Sequence, residues 1–195
     1  MNLQDLLTLY DYNDWANQLI VNTSKNVSQE QFVAPTAFGW GNLHSTLVHT
    51  LEAEHFWRIL CRDGTFAQEI TPADLPMLAD IDNRWHEEQA AMRTYLSSLS
   101  DADLTRIVSY TNDEGILRER TLWHCLFHVI NHGMQHRSEC AAMLTSFGHS
   151  PGDLDFTRFL NEQRRFKLGS NEPSRPTRPI QLHPLGQQAY SGRKC

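Results

Sequence analysis

Residues 121–147 carry Leu122, Leu126, Ile130, Ala141 and Leu144 on one face of a continuous helical pattern, opened by Thr121 and stopped by Gly148. A helix of this length draws most of its stability from burying such a face, so it needs partner helices of comparable length. The chain supplies three. Residues 3–24 place Leu3, Leu6, Leu7, Leu9, Tyr10, Trp15, Leu19 and Ile20 at helical spacing. Residues 41–62 follow Asn42, a candidate cap, and end at Asp63-Gly64. Residues 77–99 are less amphipathic and rely on Leu78, Ile81, Trp85, Met92, Tyr95 and Leu96. The fold expected is therefore all-α, a four-helix bundle.

The intervening segments are punctuated. Glu30 to Trp40 contains Pro35 and Gly39 and reads as a connection, and Pro72 and Pro76 mark a linker. Ile107 to Thr111 and Ile116-Leu117 flank Asn112-Asp113-Glu114-Gly115, which predicts a short hairpin or an irregular loop before the last long helix. A short fifth helix is expected after Pro151-Gly152-Asp153. From Lys167 onward four prolines with Arg, Ser and Gln replace any apolar period. The domains expected are a helical body over residues 1–166 and a basic, Pro-rich tail over 167–195, extended or disordered.

Charge divides the chain at nearly the same place. Residues 1–160 hold 10 basic and 21 acidic side chains, a balance of -11, whereas 161–195 hold 7 basic and 2 acidic, a balance of +5. An acidic body lacks the basic surface from which nucleic-acid binding begins, so no nucleic-acid partner is expected. No apolar run reaches the roughly 20 residues that span a bilayer. The N-terminus has no signal-peptide pattern, and Cys61, Cys125, Cys140 and Cys195 form no Cys-x-x-Cys pair. These features lead to an expectation of a cytoplasmic protein with reduced thiols.

The chemical signal is in the histidines. Of ten, His124, His128, His132 and His136 recur every four residues on the last long helix. Each step of four advances about 400°, so neighbours stack one turn apart with an offset of about 40°. Two adjacent rings can point at one ion, but the outermost two differ by about 120° and cannot. Measured from the apolar face, His136 lies nearest its edge and His132 next, which favours that pair. His44, His49 and His55 on the second long helix are each open as a third ligand. Glu52-x-x-His55 stands alone, and no zincin, Cys-based zinc, phosphate-loop or nucleophile-elbow motif is present.

Three blocks carry a family likeness. They are Tyr10-Asp11-Tyr12-Asn13-Asp14-Trp15-Ala16-Asn17, then Leu43 to His49 with Glu54 and Trp57 beyond, and then His128 to Arg137. Together they resemble the DinB family, also grouped with YfiT-like metal-dependent enzymes, over about residues 3–160. The resemblance implies a four-helix bundle holding one divalent ion, often zinc or nickel, through three histidines. Carried over by motif, these are His49, His132 and His136. Many relatives read His-His-Arg-Gly-Gln where this chain has Gln135-His136-Arg137-Ser138-Glu139, so the ligand and the Arg are kept and the surface around them differs.

Three neutral ligands leave a position open, which is the pattern of a catalytic rather than a structural site. Such an ion can activate water, which leads to hydrolysis, or a thiol, which leads to S-transfer, so an S-transferase or hydrolase acting on a small-molecule substrate is expected. The resemblance, to thiol-dependent S-transferases or isomerases, implies the thiol route, with a low-molecular-weight thiol as co-substrate and a homodimer as the assembly. Glu54 and Glu139 are the candidate catalytic carboxylates, as general base or ligand-orienting group, with Glu52 in the same class. The alternative is a non-catalytic bundle with a structural or vestigial metal, acting by dimerisation or partner binding.

Overall fold

Local capping fixes where each helix begins. Asn2 Oδ1 accepts from Asp5 N at 2.8 Å while Asp5 Oδ2 accepts from Asn2 N at 3.1 Å, a reciprocal cap that opens α1 (Leu3–Ser24). Asn42 accepts from Ser45 N at 2.7 Å and opens α3 (Leu43–Asp63), as its sequence suggests. Gly64 ends that helix in the left-handed conformation, at φ 68°. Asp80 reaches back to Met77 N at 3.0 Å to start α4 (Leu78–Ser97). The computed structural model describes residues 1–112 and 114–167, so all but the first residue of the tail expected over 167–195 lies outside the described residues.

Two segments differ from the sequence reading. The connection before α3 contains a short helix, α2 (Gln29–Val33), capped reciprocally by Ser28 and Gln31 and anchored by buried Phe32. Five residues are too few to show a helical period, which is why the apolar pattern misses them. The last helix, α6 (Phe156–Lys167), runs one residue past the expected body boundary. Its Phe159 packs on Tyr12, and Glu162 accepts from the Trp15 indole at 3.0 Å.

The expected hairpin is present. Strands β1 (Ile107–Thr111) and β2 (Leu117–Thr121) pair antiparallel, with Val108 opposite Arg120. Only Val108 is fully buried, so the hairpin is held largely by polar ties. Arg106 donates to the Tyr95 hydroxyl at 2.9 Å and to the Cys61 carbonyl, and its own carbonyl accepts from Leu122 N. The last tie joins the hairpin to the first turn of α5 (Leu122–Ser146).

Mostly helical, the chain packs its four long helices so that α5 contacts α3 and α1, while α4 contacts α3 and α1. The core falls into two apolar clusters. One gathers Leu6, Tyr10, Leu60, Met92, Leu96, Leu122 and Leu126 beneath the hairpin. The other gathers Ile20, Leu43, Leu47, Leu51, Ile81, Trp85 and Met143. Along each helix a polar residue separates them: Asn13 and Asn17 on α1, Glu54 on α3, Glu88 on α4 and Arg137 on α5, all buried. Asn13 and Asn17 donate to Glu54 Oε1, each at 2.8 Å, and accept from Arg137 at 2.6 and 2.9 Å. Trp85 Nε1 satisfies Glu54 Oε2 at 3.0 Å. Glu88 is bound by Arg58 and by His55 Nδ1 at 2.9 Å. Among the described residues no helix is long and apolar enough to cross a membrane.

Gly133 makes room for this layer. A Cβ at that position would lie 2.7 Å from Arg137 Nη1 and 3.2 Å from Asn13 Oδ1. Helix propensity alone favours Gly133→Ala by about 1 kcal/mol, whereas crowding a packed interior costs roughly 1–3 kcal/mol. Urea denaturation should show Gly133→Ala destabilised; a gain near the propensity value would mean that the network shifts freely.

Candidate metal centre

His132 and His136 lie one turn apart on α5, and the packing of α5 on α3 brings His49 to the same point. His132 Nε2 is 3.1 Å from His136 Nε2 and 3.3 Å from His49 Nε2. One ring nitrogen from each residue falls within 4.8 Å of the other two. Two nitrogens bound at about 2.0–2.1 Å to a tetrahedral ion are about 3.4 Å apart, so the donor set fits a single divalent ion. Burial and the neighbouring rings hold His49 down at about 4, and burial with the adjacent histidines holds His132 at about 4. Both imidazoles are therefore neutral near pH 7, the form that can donate a lone pair.

His136 is oriented from behind. Its Nδ1 lies 2.7 Å from Glu139 Oε2, one turn further along α5. With the carboxylate as acceptor, the proton sits on Nδ1 and the Nε2 lone pair faces the other two histidines. Gly39 leaves room for the same carboxylate: a Cβ there would collide with Glu139 Oε2 and lie 3.1 Å from its carboxyl carbon. Gly39 also has φ +43°, a conformation side chains resist. The next residue, Trp40, stacks on His49 with ring centroids 4.1 Å apart. The α2–α3 connection thus touches the partners of two of the three histidines.

The remaining candidates have other partners. His44 is buried and bonds the Leu75 carbonyl at 2.8 Å, and His55 pairs with Glu88. His128 packs edge-on against Trp57, with its titration lowered by burial, and His124 lies against Trp123. Glu54 is in the central polar layer, where both of its oxygens are engaged by Asn13, Asn17 and Trp85. Burial raises its carboxyl, and those three donors with the nearby Arg137 pull it back down. No hydrogen bond among the described residues joins it to the histidines. Arg137 points inward and donates to the two asparagines that in turn hold Glu54. Of the three carboxylates anticipated, Glu139 is the one hydrogen-bonded to a histidine of the cluster, while Glu52 lines the adjoining cleft.

A cleft of about 930 Å³ opens beside His49. Its α3 wall is one stripe, Ser45, Val48, His49, Glu52 and Phe56, at spacings that repeat on a helix face. Trp40, Phe66, Glu69, Ile70 and Tyr110 complete it from the connections and the hairpin. The stripe on α3 is readable in the sequence once His49 is chosen. Trp40 and Phe66 have no comparable signal, since both lie in irregular segments whose path is set by tertiary packing.

Glu139→Gln tests the orienting contact. The folded protein should bind zinc about 10–100-fold more weakly, measured by competition with a chelating dye; unchanged affinity would remove Glu139 from any role at the centre.

The chain is 25% identical over 157 residues to Protein DinB of Bacillus subtilis (strain 168), an alignment covering 78% of this chain and 91% of that protein. It matches the DinB family over residues 1–173, a span that includes His49, His132 and His136 as well as the polar layer beneath them. The chain belongs to the DinB family.

Proposed function

We propose that this protein is a metal-dependent enzyme of the S-transferase or hydrolase type, built on the four-helix bundle of its family. The observation that carries this reading is the convergence of three imidazoles, with one ring nitrogen of each within 4.8 Å of the others and His49 also lining the cleft. His49, His132 and His136 hold the ion; the family resemblance implies zinc or nickel, and imidazole donors suit both. A divalent ion so held supplies Lewis acidity that brings a water or thiol toward ionisation near neutral pH.

The protein's own residues do the rest. Glu139 fixes the His136 tautomer, and Trp40 covers one face of His49. The cleft admits a small-molecule substrate to the uncovered side, with a low-molecular-weight thiol as the co-substrate in the transferase case. Glu139 acts through His136, and Glu54 acts through the packing of α1, α3 and α5; both are positioning residues in this reading. A structural metal would be closed by four protein ligands, whereas three ligands beside a roomy cleft favour catalysis. Free, buried Cys61, Cys125 and Cys140 support a cytoplasmic setting, and exposed Phe127 and Met134 on α5 support a homodimer.

Metal analysis of untagged protein decides the central point. The wild-type chain should carry about one ion and His132→Ala/His136→Ala should carry none; equal content in both would end the proposal. Chelation should also lower the melting temperature, since a ligand at a thousandfold excess over its Kd adds about 4 kcal/mol. Turnover in a screen of thiol–electrophile pairs and esters should depend on the same ion. Ion-dependent stability with no turnover would favour the non-catalytic reading.

A further inference from the structure

The cleft beside His49 has walls of a distinct chemical kind. Trp40, Phe56, Phe66 and Tyr110 present aromatic rings, and Trp40 and Phe66 are 55% and 57% exposed, unusual for residues of their size. Phe56 and Phe66 stack with centroids 5.7 Å apart. Among the described residues, the carboxylates on the lining are Glu52 and Glu69, and no lysine or arginine lines it. Glu52 is half-buried and, among the described residues, takes part in no hydrogen bond or ion pair. Burial and the charge of Glu69 both raise its carboxyl, so the pair repels itself across the same space.

Aromatic faces and unpaired carboxylates share one preference, since both attract positive charge and neither rewards an anion. From the aromatic walls, the two carboxylates and their placement beside His49, we propose that the cleft takes an amphipathic organic cation, an amine or quaternary ammonium on an apolar body. This rests on the functional reading above and names its substrate class. Glu52 follows His49 by three residues, a rise of about 4.5 Å along α3. A cationic end at Glu52 and Glu69 therefore stands clear of the histidines while the apolar body lies along the rings and reaches His49. Phe56, one further turn along the same face, supports that body.

The test is a tryptophan-fluorescence titration of the wild-type protein, with and without added zinc, checked by saturation-transfer NMR, with benzyltrimethylammonium, benzyl alcohol and phenylacetate as probes of equal ring size. The cation should bind about tenfold more tightly than either of the others, and added salt should weaken it. Glu52→Gln/Glu69→Gln should reduce the cation to the level of benzyl alcohol while leaving zinc content unchanged. Phenylacetate or benzyl alcohol binding as tightly as the cation, or a double variant that keeps the preference, would overturn the proposal. Zinc content of His132→Ala/His136→Ala decides the metal reading by itself. The cation preference is measured on chains whose three histidines are intact, so either reading can fail alone.

Discussion

The bridge between Glu54 and Arg137 through Asn13 and Asn17 sets the rotation of the helices, and the site follows from that setting. Arg137 is buried and donates to both asparagines. Adjacent residues on a helix differ by about 100°, so pointing Arg137 inward toward α1 turns His136 toward α3. His132, one turn before it, shares that direction, and His49 meets both from α3. A buried charge that lost its partner would cost several kcal/mol. The rotational phase of α5 is therefore held by polar satisfaction as well as by apolar packing, and a slip in phase would both strand Arg137 and disperse the ligands.

Much of the helical framework can be read in the chain. Asn42 and Gly64 bound α3 by known capping chemistry, and the apolar period of residues 121–147 becomes α5 almost to the residue. The hairpin follows from the turn residues around Gly115. The layer between the two apolar clusters is harder to read. Asn13, Asn17, Glu54 and Arg137 each look like ordinary surface residues on an amphipathic helix, and only the juxtaposition of three helices shows that they satisfy one another. The partners of Arg137 depend on which face of α1 turns inward.

The site shows the same division. Helical geometry narrows four histidines on α5 to an adjacent pair, because the ligands there are local in sequence. The third ligand is not local: His44, His49 and His55 are equivalent by spacing, and the packing of α3 on α5 and α4 separates them. His55 turns toward Glu88 and His44 toward Leu75 O, leaving His49 to join the pair. Glu139 lies three residues from His136, at a helical spacing, and so was within reach of sequence reasoning. Gly39 and Trp40 were not, since their positions come from the path of an irregular connection.

The central layer also determines what counts as a folding unit. It draws at least one buried polar group from each of the four long helices, and each apolar cluster likewise takes residues from all of them. No pair or triplet of helices completes either cluster, and losing any one helix removes a member of the polar layer: without α5, for example, the Asn13 and Asn17 oxygens lose Arg137. Assembly is therefore cooperative across the whole sequence from α1 to α5. The smallest autonomous piece of this protein is the entire helical body, which also means that the three histidines are aligned only once the last of these helices is in place.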